Sequence, residues 1–173
     1  MVLKLIVASI LLLATSGIGY LIALRYGLRV KQLGYFINAL NSLETYILYY
    51  STPLPLAMKK LSERSHSSIS WIFEESWKRL NSREGYEIGE IWQETMNRNI
   101  ESLSLSKEDI DIIIDFSKEL GFGNKDTQKK HFQYTEMLLN EQKRKANNEK
   151  DKNGRMFNRL GVLLGLTLVI ILI

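Results

Sequence analysis

Residues 5–24, "LIVASILLLATSGIGYLIAL", run for twenty positions without a charge, and no other feature limits the fold as severely. As an α-helix this run is roughly 30 Å long, the thickness of a bilayer's hydrocarbon core. A cleaved signal peptide is the competing explanation, because Lys4 precedes the run and small residues occupy 14–17. The apolar stretch continues past those small residues, however, and lacks an A-x-A-like site. Arg25, Arg29 and Lys31 then follow at once. This is the flank of a retained anchor, and the spacing predicts an N-terminal transmembrane helix.

A second apolar segment, "LGVLLGLTLVIILI", occupies 160–173. Alone it reaches about 21 Å as a helix, and it lengthens towards a full span if Arg159 snorkels to the headgroups. The basic residues set the topology. Arg25, Arg29 and Lys31 follow the first segment, and Lys143, Arg144, Lys145, Lys150, Lys152, Arg155 and Arg159 precede the second. Against these ten, the far side of the first segment offers only Lys4 and the α-amine. The positive-inside rule therefore predicts a cytoplasmic middle and two extracytoplasmic termini. The expected organisation is a transmembrane helix over 1–25, a cytoplasmic helical bundle over 26–155 and a second transmembrane helix over 156–173. Much of the net charge of +4 is this clustering, which suits anionic lipid headgroups rather than nucleic acid. The basic run has no interleaved aromatics on which bases could stack. With no cysteine, disulfide and thiolate chemistry are excluded.

Between the apolar ends the periodicity is helical throughout. Leu33, Phe36, Ile37, Leu40, Leu43, Ile47 and Tyr50 form one stripe, and Leu54, Ala57, Met58 and Leu61 a shorter one. Ile69, Ile72, Phe73, Ser76, Trp77 and Leu80 predict a third helix ending near Asn81, and Ile88, Ile91, Trp92, Thr95 and Met96 a fourth after Gly85. In "SKEDIDIIIDFSKELG", Ser106 is the expected N-cap, Ile110, Ile113, Ile114 and Leu120 the buried face, and Gly121 the left-handed stop. A last helix starts at Asn124, buries Phe132, Thr135, Leu138 and Leu139, and is expected to continue past Gly154 into the second apolar segment. The fold class is all-α, with about six helices in the bundle.

Both prolines of the chain fall in "YYSTPLPLAM". Thr52 is the expected cap of a helix with Pro53 first and Pro55 third, where neither missing N–H matters. The residue before a proline is driven extended, so the preceding helix must end near Tyr50 and turn a sharp corner.

Reactive constellations are missing. The sequence holds no Walker-type loop, no G-x-G-x-x-G and no H-E-x-x-H. His66 lies in a polar inter-helix stretch and reads as solvated, and His131 has Thr135 rather than a metal ligand one turn on. Glu74, Glu75, Glu87 and Glu90 read as a solvated face. Trp71, Trp77 and Trp92 read as core or interface anchors. The expectation is a non-enzymatic protein with no catalytic residues, cofactor or metal.

Several stretches resemble the stage III sporulation protein AB family of endospore-forming bacteria over essentially the whole length. They are "LETYILYYSTPLPLAM" (43–58), "IWQETM" with Trp92, "LSKEDIDIIIDFSKELG" (105–121), Gln128 with His131, and "RMFNRLGVLLGLTLVIILI" (155–173). Where the family pattern is L-G-x-S-D, this chain reads "LGFGN", so no charged contact is carried over to Asn124. The family in turn resembles the cytoplasmic helical domains of inner-membrane platform proteins of type II secretion and type IV pilus machines. The resemblance implies a membrane component of the channel linking mother cell and forespore. It would lie in the mother-cell (outer forespore) membrane and receive a secretion-type ATPase and other stage III channel proteins, with homo-oligomers compatible. The expected partner surface comprises Thr52, Pro53, Leu54, Ala57, Trp92, Leu120, Gly121 and Gln128. The same residues also fit bundle core and capping, and both readings stand. A membrane-anchored helical regulator or lipid-associated interaction protein, outside any channel, is the alternative function. "GVLLG" at 161–165 adds a small-residue pair four apart, the spacing of a close helix approach.

Overall fold

Apolar residues at steps of three and four become helix along nearly the whole chain in the computed structural model, which describes residues 2–82 and 85–172, with side chains over 9–82 and 85–170. Lys4, the start of the first apolar run over 5–8 and the last residues of the second lie outside the described side chains. Helix α1 (Val2–Glu44) passes into a π-helical turn (Thr45–Tyr49), followed by α2 (Leu54–Arg64), α3 (Ser67–Asn81) and α4 (Ile88–Arg98). After a 3₁₀ turn (Ile100–Ser102) come α5 (Lys107–Glu119), α6 (Lys125–Glu149), a second π turn (Lys150–Gly154) and α7 (Arg155–Leu172). Among the described residues there is no strand, and the all-α class holds. Among the described residues one helix, Ser9–Tyr49, is long and apolar enough to cross a membrane by length and composition. The chain forms two compact units, residues 1–30 with 144–173, and residues 31–143.

The unit over 31–143 is a helical bundle with a continuous apolar interior. Leu33, Phe36, Leu40 and Leu43 of α1, Met58 and Leu61 of α2, and Ile69, Ile72 and Phe73 of α3 are buried in it. So are Ile91, Trp92 and Met96 of α4, and Phe132 and Leu139 of α6. Trp92 meets Phe73 edge-on at 5.8 Å and Phe116 at 6.3 Å, and Phe116 meets Phe132 at 5.1 Å. Such aromatic pairs add about 1 kcal/mol each beyond area burial. The indole Nε1 of Trp92 donates to Ser76 Oγ at 2.8 Å, and that hydroxyl donates to Ile72 O at 2.7 Å, so both buried polar groups are satisfied. A cavity of about 20 Å³ among Phe36, Leu40, Phe73, Trp92, Phe116 and Leu139 is the looseness left beside this cluster.

Capping follows the sequence closely at α5. Ser106 Oγ accepts from Asp109 N at 3.2 Å while the Asp109 carboxylate accepts from Ser106 N at 2.8 Å, a reciprocal capping box. Gly121 (φ 93°) ends the helix, and Asn124 Oδ1 caps α6 through Thr127 N at 2.8 Å.

Two expectations need correction. Tyr50 is exposed, and Tyr46 completes the α1 stripe instead. The π turn inserts an extra residue per turn and so moves the phase of a 3.6-residue pattern. Thr52 does not cap α2: the N-cap lies one residue on, and the Thr52 N–H bonds Tyr46 O at 2.8 Å, closing the preceding turn. Pro53, with ψ 139°, is the N-cap, its carbonyl accepts Ala57 N at 3.0 Å, and Pro55 is second in the helix. His66 is exposed, as its polar stretch predicts, and it also packs locally. It caps α3 through Nδ1, which accepts from Ser68 N at 3.2 Å, and its ring stacks on Tyr35 at 4.0 Å.

The unit of residues 1–30 and 144–173 is an antiparallel helix pair. Thr15 sits by Gly161 and Gly165, Gly19 by Phe157 and Gly161, and Ala23 by Gly154, so partner numbers fall as α1 numbers rise. Tyr26 stacks with Phe157 at 6.2 Å, and Arg29 Nη1 pairs with Glu149 Oε2 at 2.7 Å. The close-approach face read in "GVLLG" is real. A Cβ on Gly161 would lie 2.8 Å from Thr15 O, a distance side chains do not tolerate.

Candidate functional site

The helix corner after α1 and the turn before α6 meet within the 31–143 unit. At the corner, the π turn ends with Tyr50 N donating to Thr45 O at 3.2 Å, and Ser51 adopts φ 49°, in the left-handed region. A serine pays a steric penalty there that glycine would not, so the corner is held by its surroundings. Arg64 Nη1 donates to the Tyr46 hydroxyl at 3.3 Å, and Lys60 Nζ stands 5.2 Å from the Tyr46 ring centroid, tying α2 back onto the turn. Across from it, Gly121 and Gly123 (φ 82°) form the tight α5–α6 connection. Lys125 Nζ then donates to Ser51 Oγ at 3.2 Å and joins the two segments.

Around this junction, apolar side chains face outward. Tyr50 is 69% exposed and Phe122 59% exposed, with Tyr49 and Leu56 also exposed. Ser51, adjacent to Tyr50, and Lys125, three residues past Phe122, tie the two aromatics to one end of the bundle. Exposed aromatic rings gathered at one end of the bundle are the composition of a protein-docking patch.

The expected partner residues divide by burial. Ala57, Trp92 (3% exposed) and Leu120 are interior and hold the bundle together. Pro53 and Gly121 are exposed, and Thr52, Leu54 and Gln128 are half-buried. Gln128 Oε1 is buried without a hydrogen-bond partner in the structure. The junction brings together the corner and the turn but leaves Trp92 inside. Tyr50 is read from the sequence as part of the buried α1 stripe, and Ser51, Phe122 and Lys125 are not named there as partner residues. The available signal was Phe122, an aromatic between two glycines that no helical stripe can bury.

No catalytic arrangement is assembled at this end. Among the described residues no group of three or more His, Cys, Asp or Glu could hold a metal ion. His131 Nε2 bonds Phe116 O at 3.2 Å and its ring stacks on Phe116 at 5.1 Å, a packing role. Trp71 donates to Ser68 O, and Lys59 lies 5.1 Å from the Trp77 ring. Of the basic flanks, Arg25, Lys31 and Arg159 are exposed, Arg29 pairs with Glu149, and Arg155 Nε donates to Asp151 O at 2.6 Å.

A family model described as stage III sporulation protein AB matches residues 4–173. The chain is 29% identical over 171 residues to the stage III sporulation protein AB of Bacillus subtilis (strain 168), covering 98% of this chain and 99% of that one. A solved structure of a stage III sporulation protein AB superposes with a TM-score of 0.66 at 23% identity. The likeness covers 72% of this chain and 98% of that one, and shows a shared fold.

Proposed function

The chain belongs to the stage III sporulation protein AB family, and from that premise we propose that it is a non-enzymatic, two-pass membrane adaptor coupling a cytoplasmic ATPase to a membrane assembly. It acts in the mother cell–forespore channel, in the outer forespore membrane, with both termini extracytoplasmic and the bundle in the mother-cell cytoplasm. The two-pass reading is supported by the inverted pattern of the helix pair. Gly19, Gly154, Gly161 and Gly165 face inward, while Leu13, Ile18 and Leu21 of α1 and Leu163, Leu164 and Ile170 of α7 face outward. Water disfavours that arrangement and lipid favours it, because in a membrane helices associate through close small-residue packing.

One observation carries the coupling role. From the Asn124 cap, α6 passes through its π turn into α7 without a non-helical residue, and it begins at the junction where Lys125 meets Ser51. A partner held at Tyr50 and Phe122 therefore pulls on the first turn of a helix whose far end is the apolar segment. The ATPase supplies the energy and this chain supplies the grip.

The test reconstitutes the full-length chain in lipid nanodiscs with the ATPase encoded in the same system. Binding is expected, together with a change in nucleotide turnover, and the Tyr50→Ser/Phe122→Ser variant should bind at least about tenfold more weakly, the scale of an interface anchor. Both residues are exposed, so the variant should fold. Undiminished binding by the variant moves the docking surface elsewhere. No binding by the natural chain overturns the coupling role and favours an anchored regulator outside any channel.

A further inference from the structure

We propose that the side of α7 turned away from α1 carries a headgroup site for one anionic phospholipid. The inference rests on the membrane reading above. Asp151, Lys152, Arg155, Met156, Arg159 and Leu160 line an open cleft of about 380 Å³. Three cations against one carboxylate leave it with two positive charges, which suits a phosphodiester and disfavours a headgroup bearing its own cation. Arg155 Nε donates to Asp151 O at 2.6 Å, which ties the base of that guanidinium to the preceding turn. Arginine's planar donor fork then matches phosphate oxygens in pairs.

The helix geometry extends the site into the hydrocarbon. At about 100° per residue, Gly154, Gly161 and Gly165 fall together on the side that meets α1, and Arg155, Arg159, Leu163, Leu166 and Ile170 fall on the other. Leu163, Leu166 and Ile170 are all exposed. From Arg159 to Ile170 the helix rises about 17 Å, close to one leaflet's share of a hydrocarbon core of about 30 Å. A phosphate at the arginines thus puts its acyl chains along the three apolar side chains. A free phosphate ion would use only the first half of this surface, so the row identifies a lipid.

The experiment places the full-length chain in phosphatidylcholine vesicles containing trace spin-labelled phosphatidylglycerol or spin-labelled phosphatidylcholine. The readout is the motionally restricted fraction of each label. Phosphatidylglycerol should be preferred about fivefold or more, the scale of a single well-placed cation. Arg155→Gln/Arg159→Gln should bring the two labels to parity, whereas Arg144→Gln/Lys150→Gln, which removes the same charge upstream in α6 and the π turn, should keep most of the preference. Equal losses in the two variants, or no preference in the natural chain, overturn the site in favour of diffuse surface charge. Loss of the preference in tens of millimolar inorganic phosphate, but not in equal chloride, assigns the cleft to free phosphate and also overturns it. If neither label is restricted by the natural chain, the membrane reading itself has failed, a result distinct from restriction without preference.

Discussion

A Cβ on Gly19 would stand 3.1 Å from the Cα of Gly161, and a Cβ on Gly161 would stand 3.1 Å from the Cα of Gly19. The two helices touch backbone to backbone there, and each glycine is required by the other. Thr15 extends the contact, since its Oγ1 donates back to Leu11 O at 3.0 Å and it lies against Gly165. Tyr26 on Phe157 and the Arg29–Glu149 pair continue the same antiparallel register. The bundle is built the opposite way, with Phe73, Trp92, Phe116 and Phe132 inside and nearly all of its charges outside. One chain therefore holds two packing regimes.

Gly161→Ala should destabilise the helix pair by about 1–3 kcal/mol, the cost of overpacking a tight contact. Gly17 meets nothing within 4 Å, so Gly17→Ala should be neutral or gain up to about 1 kcal/mol of helix propensity. Thermal unfolding of the full chain in mild detergent compares them. Equal behaviour of the two variants would refute the contact.

Trp92 and Ser76 supply a second test, in the bundle. Ser76→Ala leaves a buried indole N–H without an acceptor and should cost about 1–3 kcal/mol. Trp92→Phe removes the donor together with some packing. The double variant should cost less than the sum by about 1 kcal/mol, because the orphaned donor is gone. Strict additivity in denaturant titrations would show that the bond contributes nothing.

Much of this bundle was legible because its helices obey local rules. Ser106 and Asp109 form the capping box their spacing announces, Gly121 takes the positive φ, and Ile88, Ile91, Trp92, Thr95 and Met96 are all buried as their period requires. Legibility failed where a local rule had a competitor. At Tyr50 the π turn broke the 3.6-residue period, and nothing in a one-dimensional pattern marks an inserted residue. At Thr52 the helix starts one residue later than its composition suggests, with extended Pro53 (ψ 139°) at the N-cap. At His66 an imidazole did the work usually assigned to Ser, Thr, Asp or Asn. The Ser51–Lys125 contact joins residues 74 apart in the chain, so only the folded structure could bring the corner to the turn.

Acid should weaken one inter-helix tie between α3 and α4. Hydrogen bonds from Arg79 first and Arg98 second hold the Glu94 carboxyl below its ordinary value of 4.5. The distances are 2.6 and 2.5 Å. A carboxyl lowered in the folded state stabilises it above the unfolded value, and that contribution is lost as pH falls from about 4.5 through the lower folded value. Glu94→Gln should therefore unfold at lower urea than the natural chain at pH 7, with the gap closing below that window. Because Glu94 is exposed, the gap should also shrink in high salt. A gap unchanged at pH 3 would assign it to packing rather than charge.

Placement of the bundle is decided at Ser102. The chain has no cysteine, so Ser102→Cys gives a single thiol. Ser102 is exposed, and its hydroxyl makes only the local bond to Asn99 O at 2.7 Å, so the change should cost little. The Ser102 carbonyl, which accepts from Gln32 Nε2 at 3.5 Å, is untouched by the substitution. With ten basic residues flanking the middle of the chain against Lys4 and the α-amine beyond it, the bundle should lie in the cytoplasm. A membrane-impermeant maleimide should then label intact mother cells only after permeabilisation, with detergent-solubilised protein as the reactivity control. Labelling of unpermeabilised cells would put Tyr50, Ser51, Phe122 and Lys125 between the membranes, beyond reach of any cytoplasmic ATPase. The coupling role would fall with that result, and the junction would have to grip an intermembrane partner instead.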